Sequence, residues 1–412
     1  PASIDAQAPP QPALNTARAC YVCKQPFVDV HRYYDSMCRS CGDFNYARRS
    51  QTADLSGRVA LVTGARVKIG HQAALKLLRA GARVVALTRF PVDAAERYAQ
   101  EADYALWCDR LQVHGLDLRH TPSVELFARW LANELPRLDY VLNNACQTVR
   151  RPAGFFRHLL EREAAGATSL PPALRGPLAR HTSLCHNLLE SVPEAHAGGQ
   201  LVALATRSPV EGLLHSAELS QRRYLDEDYL EGEALFPTDR YDEDGQQVDQ
   251  RTVNSWRLRL HEVQTPELLE VQLVNAIAPY ILNARLKPLM MKSGARDLHI
   301  VNVSAMEGQF YRTTKTDKHP HTNMAKAALN MMTRTSAPDY VRDGIHMNAV
   351  DTGWVTDEDP AVHAARKAEE GFAPPLDIID GAARIVDPIF SGVNTGTHVW
   401  GQFLKDYKPA PW

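Results

Sequence analysis

The 412-residue sequence contains no run of about 18 apolar residues, so no segment suits a membrane-crossing helix. Charge of either sign is not in excess: 46 basic and 48 acidic side chains leave −2, which argues against an electrostatic nucleic-acid binder. No positively charged stretch followed by an apolar core opens the chain, so no secretory signal is visible. Cysteine is sparse, with seven in all, which does not describe a disulfide scaffold. These absences point to a cytoplasmic protein. The length suits one large α/β domain with additions.

What is present is organised around residues 58–88. Arg58 to Thr63 is a short apolar run suited to a buried parallel strand. Gly64 to Gly70 forms a turn, and His71 to Ala80 follows as a helix with Ala73, Ala74, Leu77 and Leu78 on one face. Gly81 stops that helix and Arg83 to Thr88 is the next strand. A glycine turn between strand and helix aims free backbone N–H groups and the positive helix end at a pyrophosphate, so dinucleotide binding is expected.

Four cysteines fall into two close pairs, Cys20-x-x-Cys23 and Cys38-x-x-Cys41, separated by 14 residues. Each pair presents two thiolates on a tight knuckle, and together they complete a closed tetrahedral zinc site. A segment of this length cannot bury a core of its own, so the metal supplies its folding energy. His31 is expected at the surface, and loss of the metal is expected to spare cofactor binding. Residues 1–18, rich in Pro and Ala, read as a disordered tail, and residues 19–48 as the zinc module.

The spelling of the turn, Thr63-Gly64-x-x-x-Lys68-Ile69-Gly70, resembles the T-G-x-x-x-G-x-G element of the short-chain dehydrogenase/reductase superfamily, with Lys68 in place of the middle glycine. Further resemblances are Asp117-Leu118, a pair that contacts adenine in the superfamily, and Asn143-Asn144-Ala145, which borders the cofactor. Asp351-Thr-Gly353-Trp-Val355-Thr is similar to the loop that touches nicotinamide. The resemblance implies a Rossmann-type, doubly wound parallel sheet of about seven strands. Its halves are placed at 55–147 and 264–412, around an insertion at 148–262 read as a cap subdomain or an oligomer arm. Within the insertion, 155–163 and 181–191 read as helices, and 200–206 as either a helical turn or a strand. The last strand is expected from Thr397 to Leu404. Cys146 stands where the family has glycine and reads as small buried filler, the alternative being a reactive thiol near the site.

At the end of the second strand the superfamily's acidic ribose contact is replaced by Thr88, and Arg89 follows. A fork of fixed donors suits a 2′-phosphate, with Arg66 and Lys68 adding charge, so NADP(H) is expected over NAD(H). The alternatives are that Arg89 pairs with Asp93 or Glu96 and that Lys68 points to solvent. The family's tetrad is Asn, Ser, Tyr and Lys. Here Asn275 and Lys326 match, Thr322 stands in the tyrosine's place, and Ser304 is offset by one from the serine's place, which Ala305 occupies. Threonine is far too weak an acid to replace a phenol. The substitutes nearby are His321, placed first, then His319, and Tyr311.

Two readings follow. One is an NADP(H)-dependent oxidoreductase with a non-standard proton donor, acting on a carbonyl or activated C=C compound. The other is an inactive cofactor-binding protein whose zinc module and insertion bind a protein or RNA partner. The family's helices at 266–291 and 323–338 imply a homodimer or homotetramer.

Overall fold

The structure is a computed structural model describing residues 13–191, 209–312 and 314–412. Residues 1–12 of the expected tail and the undecided 200–206 stretch lie outside the described residues. Leu14 is already tied down, its N–H donating to the Val28 carbonyl at 2.9 Å.

Two short strands, β1 (Arg18–Ala19) and β2 (Pro26–Phe27), pair within the cysteine module. The main sheet is built from β3 (Val59–Thr63), β4 (Arg83–Thr88), β5 (Leu111–Gly115), β6 (Tyr140–Asn143), β7 (Leu298–Ser304), β8 (Ile345–Asp351), β9 (Phe403–Lys405) and β10 (Lys408–Ala410). Their order is β10-β9-β8-β7-β6-β3-β4-β5, and every neighbouring pair is parallel except β9–β10. The sheet therefore has eight strands rather than about seven, the additional one being the antiparallel edge β10. The last parallel strand begins at Phe403, not Thr397, because pairing with β8 starts at Ala349↔Phe403.

Both faces of the sheet are covered, so its strands read as continuous apolar runs. Alternation sends Ala60, Val62, Val84, Ala86 and Val301 into one layer, against the helices Lys68–Arg79 and Ile378–Thr395. Leu61, Val85, Val141, Ile300 and Met347 enter the other, against Thr121–Glu134, Ala278–Met291 and Pro320–Tyr340. The chain runs outward from β3 through β4 to β5, then returns to place β6 on the other side of β3. That reversal leaves a crevice beyond the carboxyl ends of β3 and β6, where this architecture binds ligands.

The helix expected at 266–291 is interrupted by a π turn at Leu273–Ile277, which carries Asn275. The insertion is mostly short helices and turns. It packs Phe155, Phe156, Leu159, Ala217 and Phe236 around Phe90 at the exit of β4. The Glu163 carboxylate, on Arg157–Ala165, accepts the first N–H groups of Pro91–Ala99, from Val92 and Asp93 at 3.1 and 3.0 Å. The insertion thus caps a helix of the main body. No helix among the described residues is long and apolar enough to cross a membrane.

Candidate active site

The crevice is a cleft of about 1120 Å³. Its floor is set by glycines. Gly64 has φ +66°, and a Cβ there would lie 2.8 Å from the Ala145 Cα. A Cβ on Gly70 would meet the Gly64 carbonyl oxygen at 2.2 Å and the Asn144 amide nitrogen at 2.3 Å. The Asn144 amide donates to the Thr63 and Gly64 carbonyls at 3.0 and 3.2 Å, and the Ala145 N–H donates to the Thr63 hydroxyl at 2.9 Å. These contacts bind β3 to β6 at the point where they diverge. Lys68 adopts a left-handed φ of +53° where the family pattern has glycine, and Ile69 packs toward the cysteine module.

The cations at one end of the cleft are not equivalent. Arg66 is buried and spent on Asp93 at 2.7 Å. Lys68 faces Asp244 of the insertion at 3.5 Å rather than solvent. Asp93 and Glu96 are engaged by Arg66, Arg97 and Arg162. Arg89 has no carboxylate within ion-pair distance among the described residues. Its guanidinium lies 5.4 Å from the centre of the Phe90 ring and 5.2 Å from that of Phe156. Burial, reinforced by neighbouring Arg119 and Arg66, pulls it down to about 10. Asp117 is buried and held by Arg119 at 2.8 Å, and it lines the cleft with Leu118. The sequence reading missed Arg119, which also pairs with Glu270 at 3.3 Å.

At the other end, Lys326 is buried and donates to the Val303 carbonyl at 2.8 Å. Ser304 and Ala305 both line the cleft, as does Thr322. The hydroxyls of Ser304 and Thr322 are buried without a hydrogen-bond partner among the described residues. Such orphaned donors fit a site that receives hydroxyl or carbonyl oxygens from outside the chain. Asn275 is tied to the backbone of Gln147 in both directions, at 2.8 and 3.1 Å, and so fixes the exit from β6. Cys146 is exposed on the cleft wall rather than buried filler, because the chain has already left the sheet there.

The two histidines part company. His321 is buried 3.7 Å from Glu267 and does not line the cleft, because it lies on the side of Pro320–Tyr340 that faces Thr265–Gln272. His319 does line the cleft, held in a left-handed conformation (φ +42°) and stacked on Trp256 at 3.9 Å between ring centres. Burial holds it below the ordinary histidine range, opposed by Glu307. Tyr311 is 44% exposed, and among the described residues its hydroxyl reaches only the Met306 sulfur, at 3.9 Å.

The four module cysteines converge, their sulfurs all within 4.8 Å of one another, with Cys23 and Cys38 at 3.8 Å. Sulfurs held tetrahedrally at about 2.3 Å from zinc lie about 3.8 Å apart, so the set fits that ion. His31 is buried, not at the surface. It accepts the N–H groups of Tyr33 and Tyr34 at 3.1 Å and faces Asp43 at 3.4 Å. The module docks on Ile378–Thr395 through Tyr34 to Asp380 (2.6 Å), Arg48 to Asp387 (2.8 Å) and Asn45, which accepts from Arg384 (2.7 Å). It also reaches the cleft. Tyr21 and Lys24 are on its wall, and the Tyr21 hydroxyl accepts the Trp354 N–H at 2.9 Å, beside Gly353 at φ +78°. Val355 packs into the module's own core. The module is thus part of the cleft wall and packs against the loop at 353–355.

The short chain dehydrogenase family profile matches residues 58–163, and the enoyl-(acyl carrier protein) reductase profile matches 252–373. The chain is 32% identical over 399 residues to uncharacterized protein R665 of Acanthamoeba polyphaga mimivirus, covering 94% of this chain and 74% of that one. It is 30% identical over 179 residues to retinol dehydrogenase 11 of Mus musculus, covering 42% of this chain and 51%, about half, of that relative. A short-chain dehydrogenase/reductase of Serratia marcescens superposes with a TM-score of 0.51 at 14% identity, covering 85% of this chain and 96% of that one. A short-chain dehydrogenase of Burkholderia cenocepacia in complex with NADP gives 0.50 at 16% identity, with the same coverages. The chain belongs to the short-chain dehydrogenase/reductase superfamily. The chain carries in addition a docked four-cysteine module, and a threonine, Thr322, stands four residues before Lys326.

Replacing Cys41 by Ser is expected to remove one zinc per chain, measured by elemental analysis, and to loosen the module. Because Tyr21 supports the loop at 353–355, Tyr21→Phe is expected to weaken NADPH binding by about 1 kcal/mol, the scale of one hydrogen bond. A titration finding unchanged affinity would show that the module only decorates the fold.

Proposed function

We propose that this protein is an NADP(H)-dependent oxidoreductase whose substrate is a small carbonyl compound, the corresponding alcohol, or an activated C=C compound. The observation that carries this reading is one cleft with an unpaired Arg89 at one end and buried Lys326 beside two orphaned hydroxyls at the other. The NADP bound to the Burkholderia cenocepacia relative supports the same choice of cofactor. A nicotinamide cofactor supplies hydride transfer when bound. Arg89 would hold the 2′-phosphate, with Lys68 contributing less because Asp244 already faces it. Gly64, Ile69, Gly70, Asp117, Leu118, Asn144, Ala145, Gly353 and Val355 would shape the remaining cofactor contacts. Lys326 would hold the nicotinamide ribose, and Ser304 and Thr322 would orient the substrate oxygen.

His319 is the proton-exchanging group this placement favours, since it lines the cleft and His321 does not. Its depressed pKa keeps the imidazole neutral near pH 7, which suits taking a proton from an alcohol during oxidation. The zinc module and insertion both pack into the cleft wall, so their exposed surfaces are not needed to explain them. That favours the enzyme over the partner-binding reading. The self-association reading rests on Leu269, Ile277, Tyr280, Met324 and Met331, apolar side chains left exposed on the two helices that would pair.

Arg89→Ala is expected to weaken NADP(H) by roughly 1.5–3 kcal/mol, the scale of a charge-assisted contact, and to leave NAD(H) nearly unchanged. Equal affinity of the unmutated protein for both cofactors would defeat the assignment. Once turnover is found in a screen of alcohols, carbonyl and enoyl compounds, His319→Ala should cost about 10²–10⁴-fold in rate and Tyr311→Phe almost nothing. The sign of the pH effect follows from the base form being required. Oxidation should be level near and above neutrality and should fall on acidification, through a pKa below the ordinary histidine range. A full-rate His319→Ala would remove the proposed base. Sedimentation at micromolar concentration should show a dimer or tetramer, and a monomer alone would count against pairing of the two helices.

A further inference from the structure

A second cluster of metal-binding side chains lies at the opposite end of the sheet from the cleft. β7 and β8 pair in parallel with His299 opposite His346, near their amino-terminal ends, so both rings stand on the same face. His398, on the segment leading to β9, joins them. The three ring centres are 4.8–5.2 Å apart, and one nitrogen from each ring lies within 4.8 Å of the others. Ser391-Gly392 runs beside them, and the missing side chain matters. A Cβ on Gly392 would lie 2.4 Å from the His398 Nδ1 and 3.2 Å from the His299 Nε2.

Three details separate this cluster from an ordinary histidine contact. The His346 Nδ1 is 3.2 Å from the Leu298 carbonyl, which can only accept, so that nitrogen carries the proton and the Nε2 lone pair is free. A backbone carbonyl that fixes the tautomer of an imidazole is the usual support for a ligating histidine. The His299 Nε2 and His398 Nδ1 are 2.9 Å apart. That is a hydrogen-bond length, but it is also near the lower end of the roughly 2.9–3.4 Å separating two nitrogens held about 2.0–2.1 Å from one ion. Finally, none of the three rings has a carboxylate within ion-pair distance among the described residues, so no ion pair occupies their nitrogens. His299 is fully buried, whereas His398 lies on a largely exposed segment, which gives an ion a way in.

We infer that His299, His346 and His398 form a second metal site, for a divalent ion of borderline softness such as zinc, with a fourth position left for water. Imidazole nitrogen without thiolate or carboxylate suits zinc, nickel or copper and discriminates against calcium and magnesium. The site joins β7, β8 and the approach to β9, so its effect is on the stability of that edge of the sheet and not on chemistry in the cleft. It is independent of the oxidoreductase reading.

The test uses the full chain saturated with zinc, desalted and analysed for metal. Two ions per chain are expected for the unmutated protein, one for His398→Ala and one for His346→Gln, with the cysteine site still filled in both. Cobalt substitution provides a second readout: the thiolate-to-metal absorption of the cysteine site should persist in both histidine variants while the weaker visible bands of the nitrogen site disappear. Cys41→Ser should show the reverse. A single ion in the unmutated protein, or two ions retained in both histidine variants, would overturn the assignment. The unmutated stoichiometry alone decides the question if either variant fails to fold.

Discussion

The close approach of Gly70 to the Gly64 carbonyl is the contact on which the rest of the architecture depends. With no Cβ at either position, the helix Lys68–Arg79 can start directly against the end of β3, with its first N–H groups facing the crevice. Asn144 then bridges to β3 from β6, so the two strands are locked together just where their connections diverge. A side chain at Gly70 would force the turn away from Asn144 and close the space that the cleft occupies. The left-handed Lys68 between them is tolerated because its surroundings fix it, and its ammonium is partly balanced by Asp244.

Around that turn the two additions to the fold serve the same cleft. The insertion closes over the exit of β4 with its own aromatic cluster and caps Pro91–Ala99 with Glu163. The cysteine module lies on the other flank, where Tyr34, Asn45 and Arg48 fasten it to Ile378–Thr395 and Tyr21 meets the Trp354 backbone. The four-cysteine segment thereby supports the loop at 353–355. Among the described residues the carboxylates are distributed so that Arg66, Arg97 and Arg119 are paired while Arg89 is not. Leaving a half-buried guanidinium without an anion is costly unless a ligand supplies one.

The end of the cleft beside Lys326 departs from the family pattern in a chemically specific way. A phenol is absent from the position four residues before Lys326, and the hydroxyls that remain, on Thr322 and Ser304, are too weakly acidic to exchange a proton by themselves. His319 differs from them in its titration range, and its stacking on Trp256 of the insertion brings the added segment to the same end of the cleft. The same segment carries His321 two residues on, where the helix rotates the ring away to Glu267.

Local pattern was enough for the parts of this protein that are read along one stretch of chain. The strand-turn-helix at 58–80, the paired cysteine knuckles and the run around Asn144 each have their meaning in a few consecutive residues, because backbone geometry and ligand spacing are local. The sequence also determined that a threonine and not a tyrosine stands four residues before Lys326. Tertiary structure alone decided what occupies the remaining space. Arg66 and Arg89 look alike in the sequence, and only packing pairs one with Asp93 and leaves the other without a carboxylate partner among the described residues. His31 and Cys146 were misplaced for the same reason: burial depends on partners distant in the chain, here Gly42 against the His31 ring and the departure of the chain from β6. The choice between His319 and His321 turns on helix rotation within a single turn. The meeting of His299, His346 and His398 depends on strand register between residues 47 to 99 positions apart, which no reading of one segment contains.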